Sequence, residues 1–279
     1  MTGAFHNRTR RSLSIPRALI RRGRVLELPV YYLLRLSDLA REGLDHSGSH
    51  RFADHVYRGV PSGRGAIGRW IDAGLLGLPA VRAFRFRYTA ARDELAAFLV
   101  ERWQHDRDRA IDVLSVPCGI PRELADAAEM VRRQTGDSAF PVRFHGLDLD
   151  PAVLEEARYF AAERGLRPFE THEGDALDRG SYPKGFDFIT CTGLAEFLDD
   201  EQLAGLYGIF FDVLNTGGRF ITSGMRRRRF SDYLLRLAEI RTHYREPSDL
   251  ERLATRCPYR AVQTRQDELG IQTILTATK

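Results

Sequence analysis

Few of the 279 residues are cysteine or lysine, and no stretch is uniformly apolar. Cys118, Cys191 and Cys257 are odd in number and far apart, which argues against a disulfide framework or cysteine zinc site and for a reducing cytoplasm. No window approaches the roughly 18 consecutive apolar residues of a membrane-spanning helix. Lysine stands only at Lys184 and Lys279. The net charge of +4 is therefore built from arginine, in keeping with a GC-rich coding sequence rather than selection for phosphate recognition. Acidic residues are missing from 1–24, where arginine alone carries charge from Arg8 to Arg24. That arm has neither the apolar run of a secretory signal nor the interleaved aromatics of a nucleic-acid-binding segment, and 1–25 reads as a basic, partly ordered leader.

What is present suits a sizeable core: 43% of residues are hydrophobic and 10% aromatic. Residues 26–108 show helical spacing and no strand-like alternation. In LELPVYYLLRLSDLAREGL the residues Leu26, Tyr32, Leu33, Leu36 and Leu39 predict one apolar helix face. RFADHVYR, AIGRWIDAGLLGL and a long helix over about 80–103 follow, and together they predict a helical cap beside a sheet. From 109 the pattern changes to strands alternating with helices, the mark of a parallel sheet with crossovers. Strands are predicted at IDVLSV, VRFHGLDL, RPFETHEGD, FDFITCTG and GGRFITSGM. The last segment, PYRAVQTRQDELGIQTILTATK, predicts two strands turning at Leu269-Gly270. Asp150 before Pro151 marks a helix start, and Ser248 with Glu251 predicts a capping box opening a helix near 249. The expected fold is α/β: a doubly wound, mostly parallel seven-stranded sheet with an antiparallel terminal hairpin strand, plus the N-terminal helical cap.

Four of the strands run into loops of small or acidic residues: Ser115-Val116-Pro117-Cys118-Gly119-Ile120-Pro121, Gly146-Leu147-Asp148-Leu149-Asp150, Gly174-Asp175-Ala176 and Thr190-Cys191-Thr192-Gly193. Doubly wound sheets bind ligands at these carboxyl ends. Asp148 follows Gly119 by 29 residues, against ~20 in the dinucleotide fingerprint. Its carboxylate offers two acceptor oxygens, matching a cis-diol.

The five-strand alternation, the terminal hairpin and the four loops in this order resemble the class I S-adenosylmethionine-dependent methyltransferases over 109–279. The resemblance implies that Asp148 accepts both ribose hydroxyls and that Leu149 borders the cofactor. It places Asp175 and the Ala176 amide at the adenine, and Thr192 and Gly193 beneath the sulfonium. The family's first loop is an acid followed by Gly-x-Gly-x-Gly. Here only Gly119 remains, with Pro117 and Pro121 in place of the outer glycines and Ser115 in place of the acid. Proline fixes φ and removes a donor, so this loop offers fewer amides. Gly119 and the Cys118 amide are expected at the methionine portion, with Ser115 as a neutral substitute and the Cys118 side chain as packing.

Glu196 aligns with the segment after strand four where small-molecule methyltransferases often carry a substrate-facing His or acid. It is a candidate catalytic residue, alongside Tyr57 and Tyr244, with His55 and His243 beside them in candidate lid segments. The run Arg226–Arg229 could attract an anionic substrate group. The expectation is methyl transfer from S-adenosylmethionine to a small molecule, with no membrane partner, no metal ligand set and no assignment of oligomeric state. Alternatives are a non-methyl use of the sulfonium that releases methylthioadenosine, a nucleic-acid target, and a fold relic without activity.

Overall fold

The computed structural model describes residues 14–21, 23–45, 50–136, 141–183, 185–227 and 242–279. Two compact units are distinguished, one ending at Arg85 and the other beginning at Phe86. The basic leader up to residue 13 lies outside the described residues.

The first unit is helical: α1 (Ser14–Arg21), α2 (Leu28–Leu34), α3 (Asp38–Asp45), α4 (His50–Arg58), α5 (Gly65–Leu76) and the first turns of α6 (Pro79–His105). Its core holds Leu39, Val56 and Leu76, with Phe52, Tyr57 and Phe84 against them. The single helix expected from Leu26 onward is two helices, and the expected apolar face is largely outside. Leu26 is 92% exposed, and Tyr32 and Leu33 are exposed as well. The cause is polar. Asp72 is fully buried, and a buried carboxylate must be satisfied. It accepts from Ser37 Oγ, from the Leu39 amide at 3.2 Å and from the Ser62 amide at 2.9 Å. Drawing Ser37 inward breaks the chain between α2 and α3, and the Ser37 hydroxyl then caps α3 at the Ala40 amide.

The second unit contains a seven-stranded sheet of order β3-β2-β1-β4-β5-β7-β6. The strands are β1 (Ile111–Ser115), β2 (Val142–Asp148), β3 (Phe169–Glu173), β4 (Phe186–Cys191), β5 (Leu214–Met225), β6 (Ala261–Gln266) and β7 (Gln272–Thr278). β1 to β5 pair in parallel. β7 is antiparallel to both β5 and β6, the expected terminal hairpin. Its turn is closed by Asp267, whose carboxylate accepts from the amides of Leu269, Ile271 and Gln272.

Period-two alternation sends adjacent residues of one strand to opposite faces. Val113, Phe188, Ile221 and Ile274 pack under α6 from Ala90 to Leu99 and under α7 (Arg122–Thr135). Leu114, Ile189, Phe220 and Leu275 pack under α9 (Asp200–Val213) and α10 (Pro247–Ala254). Central strands covered on both faces read as continuous apolar runs, which is why they stand out in the sequence. α8 (Pro151–Glu163) begins as expected, with Asp150 accepting from the Ala152 amide and Pro151 in the first turn. α10 does not begin as expected. Glu246, not Ser248, is the N-cap, and it exchanges bonds reciprocally with Asp249. Pro247 takes the first helical position, where its fixed φ and missing donor cost nothing.

Gly146 of β2 pairs with Ser115 of β1, and a Cβ there would overlap Cys118 Sγ. Gly146→Ala should lower stability by about 1–3 kcal/mol through overpacking, read as a lower urea midpoint. Cys118→Ala in the same chain should restore part of the loss. An unchanged midpoint in the single variant would show that the contact is not a constraint.

Candidate functional site

β1 is flanked by β2 on one side and β4 on the other, so the strand order reverses between β1 and β4. This is the switch point at which open α/β sheets form a crevice at the carboxyl ends of their strands. The four loops singled out in the sequence follow β3, β2, β1 and β4, which are neighbours in that order.

The loop after β1 is tied to β2 rather than left open. The Cys118 amide, expected at the methionine portion, instead donates to the Leu147 carbonyl at 2.8 Å. Gly119, at φ +50°, donates its amide to Asp148 Oδ2 at 3.2 Å. Asp148 Oδ1 accepts from the Asp150 amide at 3.2 Å. A carboxylate has about four acceptor positions, enough for two amides and a diol. Leu149 is 55% exposed beside it, an apolar surface at the mouth of the crevice. Cys118 is buried, and burial pushes its thiol well above the ordinary range, so it packs and is not a nucleophile. Pro117 is exposed and Pro121 is buried.

Ser115 faces inward. Its Oγ donates to Glu123 Oε1 at 3.0 Å, and both residues are buried. Since 115 and 123 bracket the loop, this bond closes it from below. Burial pushes the Glu123 carboxyl up to about 7, against the lowering effect of the hydrogen bonds to it. Sequence reading missed Glu123, although an acid in the first turn of the helix after β1 is the available signal.

On the adjacent side, the Gly174 amide donates to the Asp148 carbonyl at 3.0 Å, which joins the third loop to the second. Asp175 is exposed and accepts from the Leu177 amide at 2.9 Å. The Ala176 carbonyl accepts from Tyr182 Oη at 2.7 Å.

After β4, Gly193 sits at φ +88°, a conformation that calls for glycine, and a Cβ there would meet the end of the Arg87 side chain. Its amide donates to Ser223 Oγ at 3.1 Å. Thr192 is half-buried. Glu196 is 4% exposed. Its Oε1 lies 3.2 Å from Gln272 Nε2, 3.5 Å from Ser223 Oγ and 3.6 Å from Arg87 Nη1. Glu196 Oε2, Gln272 Oε1 and the Thr190 hydroxyl are buried without a hydrogen-bond partner among the described residues. Buried orphans of this kind are costly, and these three lie near the carboxyl ends of β4 and β5. Arg87, Ser223 and Gln272 were not foreseen, because each lies in a run whose pattern reads as core.

The segment before α10 is laced to the loop carrying Glu196. The His243 amide donates to the Glu196 carbonyl at 2.8 Å. Arg245, 5% exposed, donates to the carbonyls of Ala195 and Leu198 at 2.7 and 2.6 Å and pairs with Asp200. Tyr244, half-buried, stands between His243 and Arg245 in the chain. Tyr57 belongs to the helical unit, where it stacks on Phe84 at 5.7 Å. His55 is buried near Ser62 Oγ at 3.3 Å. Of the arginine run, Arg226 pairs with Glu246, and residues 228–229 lie outside the described residues.

The family described as "Putative methyltransferase" matches residues 35–226. The chain belongs to this methyltransferase family. The methyltransferase is 36% identical over 107 residues to the aklanonic acid methyltransferase DauC of Streptomyces sp. (strain C5), a match spanning 38% of the chain and 44% of that relative. In fold it is similar to a Bordetella parapertussis structure described as a possible exported protein, with TM-score 0.76, 23% identity and 97% of each chain covered. It is also similar to the magnesium protoporphyrin IX methyltransferase ChlM of Synechocystis PCC 6803 with bound S-adenosylhomocysteine, with TM-score 0.55, 13% identity, and 86% and 98% of the two chains covered. No helix among the described residues is long and apolar enough to cross a membrane.

A folded-state value near 7 for Glu123, against an ordinary 4.5, makes stability depend on pH. The raised value means that the methyltransferase is favoured below pH 4.5 and loses stability as pH rises through 7. Glu123→Gln cannot titrate, so its stability relative to wild type should climb by roughly 3 kcal/mol across that window. Urea unfolding at pH 4.5 and pH 8 reads the difference. An equal gap at both pH values would contradict it.

Proposed function

We propose that this methyltransferase transfers a methyl group from S-adenosylmethionine to a small organic molecule bound at the carboxyl edge of β4 and β5. The observation that carries the reading is the contiguous arc of loops, with the Asp148 carboxylate bonded to the Gly119 amide at its centre. The relative named for aklanonic acid, a small-molecule acceptor, supports the acceptor class. The three free cysteines, two of them buried, support a reducing cytoplasm as the working compartment.

When bound, S-adenosylmethionine supplies an electrophilic methyl on a cationic sulfur, and transfer requires the acceptor atom about 3–3.5 Å away and in line. The chain's own residues then divide the work. Asp148 accepts the ribose hydroxyls, and Leu149 covers an apolar ring edge. Asp175 and the Ala176 amide meet the adenine. The stiff 116–121 loop brings Gly119 to the methionine portion without a glycine-rich set of amides. Glu123 supplies negative charge beneath that loop. Burial retains a proton on Glu123 near neutral pH, and Glu123 would give it up to solvent when a cation is held nearby.

Thr192 and Gly193 keep the approach to the sulfur open, which only small residues allow. Glu196 holds Arg87 and Gln272 around the end of β4 and so positions the loop. Its carboxylate gathers positive and amide groups where an acceptor anion or carbonyl can be received. Tyr244, in the segment whose His243 amide bonds the Glu196 carbonyl, is the candidate group for contact with the acceptor and its departing proton.

Asp148→Ala should abolish cofactor binding by calorimetry while leaving the circular dichroism spectrum unchanged. Incubation with labelled S-adenosylmethionine and candidate acceptors should yield S-adenosylhomocysteine. Methylthioadenosine as the product would replace methyl transfer by the alternative use of the sulfonium. Affinity for the cofactor should rise from pH 6 to pH 8 in wild type and stay flat in Glu123→Gln, with proton release measured in buffers of different ionisation enthalpy. A flat wild-type profile would remove Glu123 from the cofactor site.

A further inference from the structure

The opposite stretch of the sheet carries a group of side chains that methyl transfer does not use. His145 of β2 pairs in register with Glu170 of the edge strand β3, and Leu147 pairs with His172. Paired residues in parallel strands share a face, as do residues two apart. His145, Glu170 and His172 therefore project together. Asp112 of β1 pairs with Arg143 and joins them on that face.

The distances are specific. His145 Nδ1 lies 3.2 Å from His172 Nε2 and 3.7 Å from Glu170 Oε2. One ligand-capable atom from each of the three lies within 4.8 Å of the others. On its far side, His145 Nε2 lies 3.0 Å from Asp112 Oδ1, and Asp112 is also held by both prongs of Arg143.

Two features select the ligand. Tetrahedral zinc with nitrogen at 2.0–2.1 Å holds its ligating atoms roughly 3.3–3.4 Å apart. The separation of the two imidazole nitrogens is close to that spacing. A ligating histidine also characteristically gives its other ring N–H to a carboxylate, which sets the tautomer and the ring orientation. Asp112 fills that place. With Nε2–H given to Asp112, His145 presents the Nδ1 lone pair toward His172. Glu170 adds a negative oxygen donor whose side chain is 58% exposed, leaving an entry path and room for water in the remaining position. These residues converge only through strand pairing, so no ligand spacing in the sequence announces them.

We propose that His145, His172 and Glu170 bind a divalent transition-metal ion of tetrahedral preference, zinc being the best fit, with Asp112 orienting His145. The ion would cross-link β3, paired in the sheet only with β2, to the interior of the sheet. His172 stands two residues before Gly174, so the same cross-link stiffens the strand that leads into the 174–176 loop.

The test uses the full chain stripped with chelator and titrated with zinc chloride or cobalt chloride. Calorimetry should show one zinc per chain, cobalt should give the intense visible absorption of a tetrahedral site, and zinc should raise the melting temperature. Glu170→Gln, on the exposed edge, and His172→Ala should each weaken zinc binding by at least about 10-fold, and Asp112→Asn by about 10- to 100-fold, with circular dichroism reporting the fold of each. Three results would overturn the proposal. One is no saturable zinc binding, which would leave a plain N–H···N bond between the two rings. Another is zinc bound equally well by His172→Ala and Glu170→Gln, which would put the ion elsewhere, as at Cys257. The third is a weak, octahedral cobalt spectrum.

Discussion

The position of β1 between β2 and β4 is the constraint on which the rest of the site depends. Parallel strands on either side of it send their crossovers to opposite halves of the sheet, so the carboxyl ends of β1 and β4 cannot be bridged by a shared connection and a crevice opens there. The loops after β3, β2, β1 and β4 then stand side by side, although Gly119 after β1 and Gly193 after β4 are 74 positions apart. Each can be short and locally simple. Asp148 couples three of them: its carboxylate accepts from Gly119 and Asp150, and its carbonyl accepts from Gly174. A change at this one residue therefore touches the loops of β1, β2 and β3 together.

The same geometry accounts for how this chain tolerates a first loop so far from the family's pattern. Glycine-rich loops present many amides to a ligand. Here proline removes two, and the Cys118 and Gly119 amides bond to the end of β2. The stiffness gained is matched by a charge set below the loop. Glu123 enters from α7 and meets the Ser115 hydroxyl at 3.0 Å, so an acid is supplied to the end of β1 from the helix rather than from the strand. Burial disfavours its ionised form, and this gives a structural element beneath the loop after β1 a response at neutral pH.

Elements whose residues obey one periodicity are legible in the residue order. β1, β2 and β4 are covered on both faces and appear as short apolar runs. The helix starting at Pro151 is announced by Asp150, whose cap acts over two residues. The terminal hairpin is marked by its turn. The residue order misleads where two local signals compete or where a distant group intervenes. Ser248 and Glu251 have capping-box spacing, yet Pro247 displaces the cap to Glu246 because proline suits the first helical position. Leu26, Tyr32 and Leu33 have helical spacing, yet the buried Asp72 draws Ser37 inward and turns the chain.

Residue order by itself determined the alternation of strands and helices, the loop chemistry at Asp148, Asp175 and Gly193, and the likeness to a cofactor-binding family. Those features depend on interactions within a few residues or on the period of a strand or helix. Only the tertiary structure decided the company kept by Glu123, Glu196 and His145. Ser115 is eight residues from Glu123, Gln272 is 76 from Glu196, and Asp112 is 33 from His145. A buried polar group takes its partners from whatever the strand order places beside it, and no local pattern encodes that order.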